Sequence, residues 1–177
     1  FKNEGLKGKW YNNVPKDREI AVPASWNDLF TEREVHNHMG PVWYSRDFIV
    51  PIEWKGKLAR LRFGAAAYRA KVWVNGKFDI TGVAEYGKKN KVVVYIDYIL
   101  DENTIPQGNL DPGTGGYAAW HSNTLPSVPF DFYPYGGLHR PVRLYCSAKD
   151  YVDDITVKTG ISGKNGILNY EIITRGK

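Results

Sequence analysis

Short segments with an apolar residue at every second position recur along this chain and constrain its fold more than any other feature. Residues 58–63, for example, alternate apolar and basic side chains, as expected of a strand with one buried face. Helical periodicity is never sustained over about ten residues, and residues 25–34 predict only a short helical turn. We therefore predict an all-β antiparallel sandwich or jelly roll. The predicted strands, rich in β-branched and aromatic residues, are residues 42–50, 58–63, 71–77, 91–97 and 141–146, with a tight turn at Asn75-Gly76.

Two segments depart from this pattern. Residues 101–135 are rich in glycine, proline and aromatic residues and have little strand character. A loop of this length in a compact domain is usually functional or disordered, and its many aromatic side chains argue against disorder. After Cys146, residues 152–159 and 166–173 predict two strands around a glycine-containing loop. Because two strands alone do not form a stable domain, we interpret them as the beginning of a second β domain.

Charge and cysteine content exclude several classes of protein. The formal net charge of +5 comes from lysines and arginines scattered along the chain, so we expect no nucleic-acid partner. No run approaches the roughly 18 apolar residues of a membrane span, and residues 1–10 carry charges where a signal peptide needs an apolar core. We therefore expect no membrane association. Cys146 is the single cysteine and cannot form an internal disulfide, which is compatible with a cytoplasmic location.

Four motifs follow one another along the chain, at residues 21–28, 40–48, 69–76 and 130–142. Together they resemble the motifs of glycoside hydrolase family 2 and, within it, of the β-glucuronidases. The resemblance implies a jelly-roll (galactose-binding-like) sugar-binding domain over residues 1–148, followed by the first strands of an immunoglobulin-like domain over residues 149–177. In the family a catalytic TIM barrel follows these domains, and it is absent from this chain.

The function implied by the resemblance is that of the non-catalytic N-terminal portion of a retaining enzyme that hydrolyses β-D-glucuronides. Retaining glycosidases use two carboxylates, which in this family are glutamates on the barrel. None of the glutamates here lies in such a context, so we expect no catalytic residue in this chain. This chemistry calls for no cofactor and no metal, and His36 and His38 lack a second ligand cluster. The implied partners are a carbohydrate substrate, the protein's own barrel and, since relatives commonly oligomerise, further copies of the chain.

The resemblance also nominates substrate-binding residues in the long loop. Asp131 matches the aspartate that, in β-glucuronidases, reaches the mouth of the barrel, where its carboxylate accepts hydrogen bonds from sugar hydroxyls. The alternative is that Asp131 accepts hydrogen bonds from loop amides. Trp120 and Tyr117 have the ring faces to stack on a sugar or to pack within the loop. We expect His139, at the start of a strand, to be a structural hydrogen-bonding residue.

Two departures from the family bear on the structure. Lys77 is joined directly to Phe78, where relatives have an additional loop, which indicates a shortened loop or missing residues. Tyr68 stands where many relatives have histidine, so no family role is transferred to that position.

Three alternatives to a β-glucuronidase portion follow from the same residues. The first is a β-galactosidase of the same family, since the residues that would recognise the uronate carboxylate lie on the barrel. The second is a free-standing carbohydrate-binding module, which would bind sugar as the isolated chain. The third is a purely structural interaction domain, in which Asp131 would not contribute to turnover.

Overall fold

The computed structural model describes residues 2–38, 40–78, 82–105, 107–108 and 135–176. Its helical segments are short: α1 (Lys2–Lys7), α2 (Trp26–Leu29), α3 (Arg33–His36) and a 3₁₀ turn at Ile52–Trp54. Its strands are β1 (Ala24–Ser25), β2 (Pro41–Ile49), β3 (Leu58–Phe63), β4 (Arg69–Val74), β5 (Lys89–Asp97), β6 (Gly137–Leu138), β7 (Val142–Ser147), β8 (Tyr151–Ser162) and β9 (Asn165–Arg175). The predicted strands are confirmed to within a few residues at their ends.

Two antiparallel sheets enclose the main core. One has the strand order β2-β5-β4, the other pairs β3 with β7, and a short β1–β6 pair lies beside them. Phe63 of β3 and Val142 of β7 pack against residues of the first sheet and of the β1–β6 region. The fold is therefore an all-β sandwich, as the alternating sequence pattern predicts. The buried residues of this core are Trp26, Tyr44, Val94, Ile96, Tyr98 and Leu138.

The opposite face of the β2-β5-β4 sheet is covered by the N-terminal segment. Trp73 stacks on Trp43, with ring centroids 5.4 Å apart, and Tyr11 also stacks on Trp73 at 5.6 Å. Tyr44 and Trp73 are buried and Trp43 is partly buried, so these three strand aromatics serve in packing. Helix α1 was not predicted, because its six residues contain a glycine and show no periodicity. It forms against the sheet: a Cβ on Gly5 would lie 2.6 Å from the Trp43 ring, so only glycine permits this approach.

The Asn75-Gly76 turn forms, but it does not join two long strands. Both residues have positive φ (50° and 76°), and Val74 and Lys77 exchange backbone hydrogen bonds of 3.0 Å across the turn. The antiparallel partner of β4 is β5, which begins only at Lys89. The side chain of Asn75 links the turn to that strand, since its Oδ1 accepts a 2.9 Å hydrogen bond from the Lys91 amide.

The two strands predicted after Cys146 form a long hairpin, β8–β9. Its register places one set of apolar residues on the same face, and these side chains are about half exposed or more. The ring of Tyr151 lies 4.2 Å from the Arg60 guanidinium carbon of β3, which joins the hairpin to the sandwich. The apolar face of the hairpin consists of Ile155, Val157, Leu168, Tyr170 and Ile172.

In the described parts of the chain, no helix has the length and apolar character needed to cross a membrane.

Candidate functional site

The three residues nominated for sugar binding lie in one segment of the long loop. Asp131, Trp120 and Tyr117 fall within residues 109–134, outside the described residues. The structure does describe both ends of this segment and the side chains that hold them. These ends determine where the segment leaves and rejoins the sandwich.

Asn27 fixes the end at which the segment returns. Its side chain is fully buried, and its Oδ1 accepts a 2.9 Å hydrogen bond from the Gly136 amide. Its Nδ2 donates to the carbonyl oxygens of His36 (2.6 Å) and His38 (3.2 Å). Ser25 caps helix α2, because its hydroxyl oxygen accepts a hydrogen bond from the backbone N–H of Asn27. This bond helps to orient Asn27. One buried amide side chain therefore joins the α2–α3 region to the chain five residues after Asp131.

Two glycines at this end have no room for a side chain. A Cβ on Gly136 would lie 2.5 Å from Cη2 of Trp26, and closer still to Cζ2. Gly137 has φ of +119°, and a Cβ there would lie 3.0 Å from the Tyr44 hydroxyl. Burial raises the pKa of Tyr44 to about 12, so this phenol stays neutral. Gly137 also accepts a 3.0 Å hydrogen bond from the Ala67 amide.

The end at which the segment departs is held by a compact turn. The buried Thr104 hydroxyl accepts a 3.0 Å hydrogen bond from the Asp101 amide and donates a 2.8 Å bond to the Asp101 carbonyl. The Gly108 amide donates to the same carbonyl at 2.9 Å. The Asp101 carboxylate accepts a 2.5 Å hydrogen bond from Arg69, and the Tyr68 hydroxyl donates to the Ile105 carbonyl. Ionic and neutral hydrogen bonds together therefore fix the start of the segment.

Residues 67–69 bridge the two ends. Ala67 pairs with Gly137 of the returning chain. Tyr68 and Arg69 form hydrogen bonds with Ile105 and Asp101 of the departing chain. The ring of Trp26, which lies under the returning chain, meets the ring of Tyr98 edge-on at 5.9 Å, just before the departing turn. Both ends of residues 109–134 are therefore anchored to one side of the sandwich core.

The sequence did not identify these anchoring residues as part of the site. The only indication in the sequence was that Asn27 and Arg69 lie within the motifs that resemble the family. Nothing in the local sequence shows that Asn27 contacts Gly136, which lies 109 positions away. Tyr68, left without a role by the resemblance, has one here as a loop anchor.

The histidines considered as candidates lie close to this frame. His139 is half-buried, and burial together with the Arg140 charge lowers the pKa of its imidazole. The Nε2 atom of His38 lies 3.2 Å from the Pro41 carbonyl oxygen. Within the described ranges, no group of three or more histidine, cysteine or acidic side chains has a geometry suited to a metal ion.

Comparison with known proteins identifies the family. The family model described as "Glycosyl hydrolases family 2, sugar binding domain" matches residues 1–148. This chain belongs to that family. The β-glucuronidase of Paenibacillus borealis is 34% identical over 189 positions, covering 96% of this chain and 31% of that protein. That span exceeds the 177 residues here, so the aligned part of the relative contains residues that this chain lacks.

Solved structures agree with this family assignment. The Ruminococcus gnavus β-glucuronidase superposes with a TM-score of 0.81 at 31% identity, covering 99% of this chain and 30% of that chain. A second structure of the R. gnavus enzyme, in complex with uronic deoxynojirimycin, gives the same TM-score of 0.81 at 31% identity, with 99% of this chain and 32% of that chain covered. This chain thus spans about 30% of the length of the enzymes that it matches.

Proposed function

We propose that this chain is the N-terminal, non-catalytic part of a longer retaining β-glucuronidase and forms one wall of its sugar site. The family match and the names of the relatives support this proposal. The R. gnavus complex with uronic deoxynojirimycin supports a uronic acid sugar as the substrate class. The two glutamates that perform the hydrolysis lie on the barrel domain of the complete protein.

The observation that carries the proposal is the anchoring of residues 109–134 at both ends. The Gly136 amide is fixed by the buried Asn27, and the departing turn is fixed by Arg69 and Tyr68. Asp131 lies five residues before the anchored Gly136, so the anchor limits the region that its carboxylate can reach and lowers the entropy cost of presenting it. In the proposed role, the Asp131 carboxylate accepts hydrogen bonds from sugar hydroxyls, while Trp120 and Tyr117 offer ring faces to the sugar.

The first experiment compares hydrolysis of a chromogenic β-glucuronide with that of the matching β-galactoside by the full-length protein. Preference for the glucuronide supports the proposal. Preference for the galactoside would agree with the proposed reaction type and contradict the proposed substrate. Activity on neither, with sugar binding by the isolated chain, favours a free-standing carbohydrate-binding module.

The second experiment substitutes Asp131→Ala in the full-length protein. We expect kcat/KM to fall by the equivalent of about 2–4 kcal/mol, because a charged hydrogen bond to the sugar is left unmade. Asp17→Ala is the matched control, since it removes an exposed carboxylate elsewhere on the domain. Unchanged kcat/KM in Asp131→Ala would show that the chain has a structural role only.

Three further assignments stay proposals. The exposed apolar face of the β8–β9 hairpin supports residues 149–177 as the beginning of an immunoglobulin-like domain, because such a face needs a second layer. A cytoplasmic location remains a prediction from the sequence, and a homo-oligomeric state remains one from the family resemblance.

A further inference from the structure

The outer face of the β3–β7 sheet carries a group of exposed residues that the sandwich does not use. The inner face is defined by Phe63 and its register partner Val142, which pack on the main core. Because side chains alternate along a strand, Arg62, Arg143 and Tyr145 lie on the opposite, outward face. All three are exposed.

Arg62 and Arg143 are direct cross-strand partners. Like charges in this arrangement destabilise a sheet, so the pair is unfavourable in the absence of a counter-charge. In the part of the chain that the structure describes, neither guanidinium forms an ion pair with a carboxylate. Arg60, on the same face, differs: its Nε donates a 3.1 Å hydrogen bond to the Ser147 hydroxyl, and its guanidinium stacks on Tyr151. Among the described residues, Arg60 thus contributes to the structure through these two contacts, whereas neither arginine of the Arg62–Arg143 pair forms an ion pair.

The surface at this pair is concave. A groove of about 380 Å³ is lined by Arg62, Arg143, Leu144 and Tyr145. A second groove of about 230 Å³ shares both arginines and extends to Arg140 and Pro141. The two grooves adjoin at the shared arginines, and we term them together the arginine groove, which has basic groups in both parts and an aromatic ring in one.

We propose that the arginine groove binds an acidic oligosaccharide, with carboxylate or sulfate groups on the guanidinium groups and a sugar ring on Tyr145. Guanidinium groups recognise planar carboxylates and tetrahedral oxyanions through paired N–H donors. Tyr145, 42% exposed next to the arginine pair, supplies an apolar ring face of the kind that stacks on a pyranose. The ring favours a glycan over a purely acidic peptide, and two adjoining grooves suit more than one sugar unit. The inference does not depend on the proposed function or on residues 109–134.

The test measures binding of the full chain to a short oligogalacturonate, a sulfated oligosaccharide and the methyl-esterified, uncharged oligogalacturonate by titration calorimetry. We expect one or both acidic probes to bind and the esterified probe not to bind. Binding of only one acidic probe would identify carboxylate or sulfate as the recognised group. Absence of binding to both acidic probes would overturn the proposal.

Single substitutions then locate the site. Arg62→Gln and Arg143→Gln are each expected to weaken binding about tenfold or more, through loss of one charge-assisted contact. Tyr145→Ala should weaken it further, while Tyr145→Phe should retain it. The matched control, Lys158→Gln with Lys164→Gln, removes two exposed positive charges from the hairpin and should leave binding nearly unchanged. An equal loss in this control would show unspecific charge attraction and overturn the site.

Thermal unfolding separates a binding role from a structural one. In a ligand-free chain, Arg62→Gln should leave Tm unchanged or raise it, since it removes the cross-strand repulsion with Arg143. A fall in Tm together with the loss of binding would indicate a structural role and contradict the proposal. Equal affinity for poly-glutamate would also overturn the glycan assignment and indicate an acidic protein surface as the occupant.

Discussion

The side chain of Asn27 offers the sharpest test of how the loop is anchored. In Asn27→Ala the buried Gly136 N–H loses its acceptor, and an unsatisfied buried donor costs about 1–3 kcal/mol. Loss of the Asn27 Nδ2 donor adds a smaller cost at the carbonyl oxygens of His36 and His38. The His38 carbonyl still accepts a 3.1 Å hydrogen bond from the Trp26 indole, and His36 lies at the surface, where water can replace the lost donor. We therefore expect the free energy of unfolding to fall by about 2–4 kcal/mol, including the small cavity left behind.

Urea unfolding followed by fluorescence measures this change, and hydrogen exchange at the Gly136 amide reports the lost bond directly. Asn37→Ala is the control, since Asn37 is exposed at the end of α3 and should change stability by no more than about 0.5 kcal/mol. Asn27→Asp adds a sign test. Its buried carboxyl would face two carbonyl oxygens, which raises its folded-state pKa, so the loss of stability should grow as pH rises above about 4. A loss below about 1 kcal/mol in Asn27→Ala, or no pH dependence in Asn27→Asp, would refute the reasoning.

Two other predictions concern packing and charge. Gly136→Ala should lower stability by about 1–3 kcal/mol, because its Cβ would overlap the Trp26 ring; Gly160→Ala, with open space around the added methyl, should be close to neutral in the same urea assay. Hydrogen bonding from Lys91, together with the charge of Lys89, lowers the pKa of the Asp47 carboxyl. The ionised Asp47 therefore stabilises the folded state above the unfolded-state pKa, and this stabilisation is lost as pH falls through the lower folded-state pKa. The Tm difference between the wild type and Asp47→Asn should therefore close below about pH 4, and a difference that persists there would contradict this account.

The strands and cores were predictable because their signals are local. Alternation in residues 58–63 and the placement of Trp43, Tyr44 and Trp73 in apolar runs determine which faces are buried. Helix α1 was missed because it is stabilised by the Trp43 ring packed against Gly5 and not by its own six residues. The predicted sugar-binding residues came from the family resemblance and lie outside the described part of the chain.

The anchors of the loop could not be predicted for a different reason. Asn27 and Gly136 are 109 positions apart, and an asparagine in a short helix normally indicates a cap or an exposed position. Likewise, nothing in the local sequence of residues 67–69 shows that they contact both ends of one loop. These contacts arise only when β1, β4 and β6 meet at the same side of the sandwich.

The core and the frame of the loop share the same residues, and this has a consequence for function. Trp26 belongs to the main core, meets the Tyr98 ring at 5.9 Å and lies under Gly136. Packing that stabilises the sandwich therefore also sets the positions of the two points between which residues 109–134 must run. Arg69 and Asp101 differ, because their ion pair is about half exposed and contributes little to stability while still fixing the departing chain. The core anchors should therefore affect folding and loop position together, whereas the Arg69–Asp101 pair should affect mainly the position of the loop.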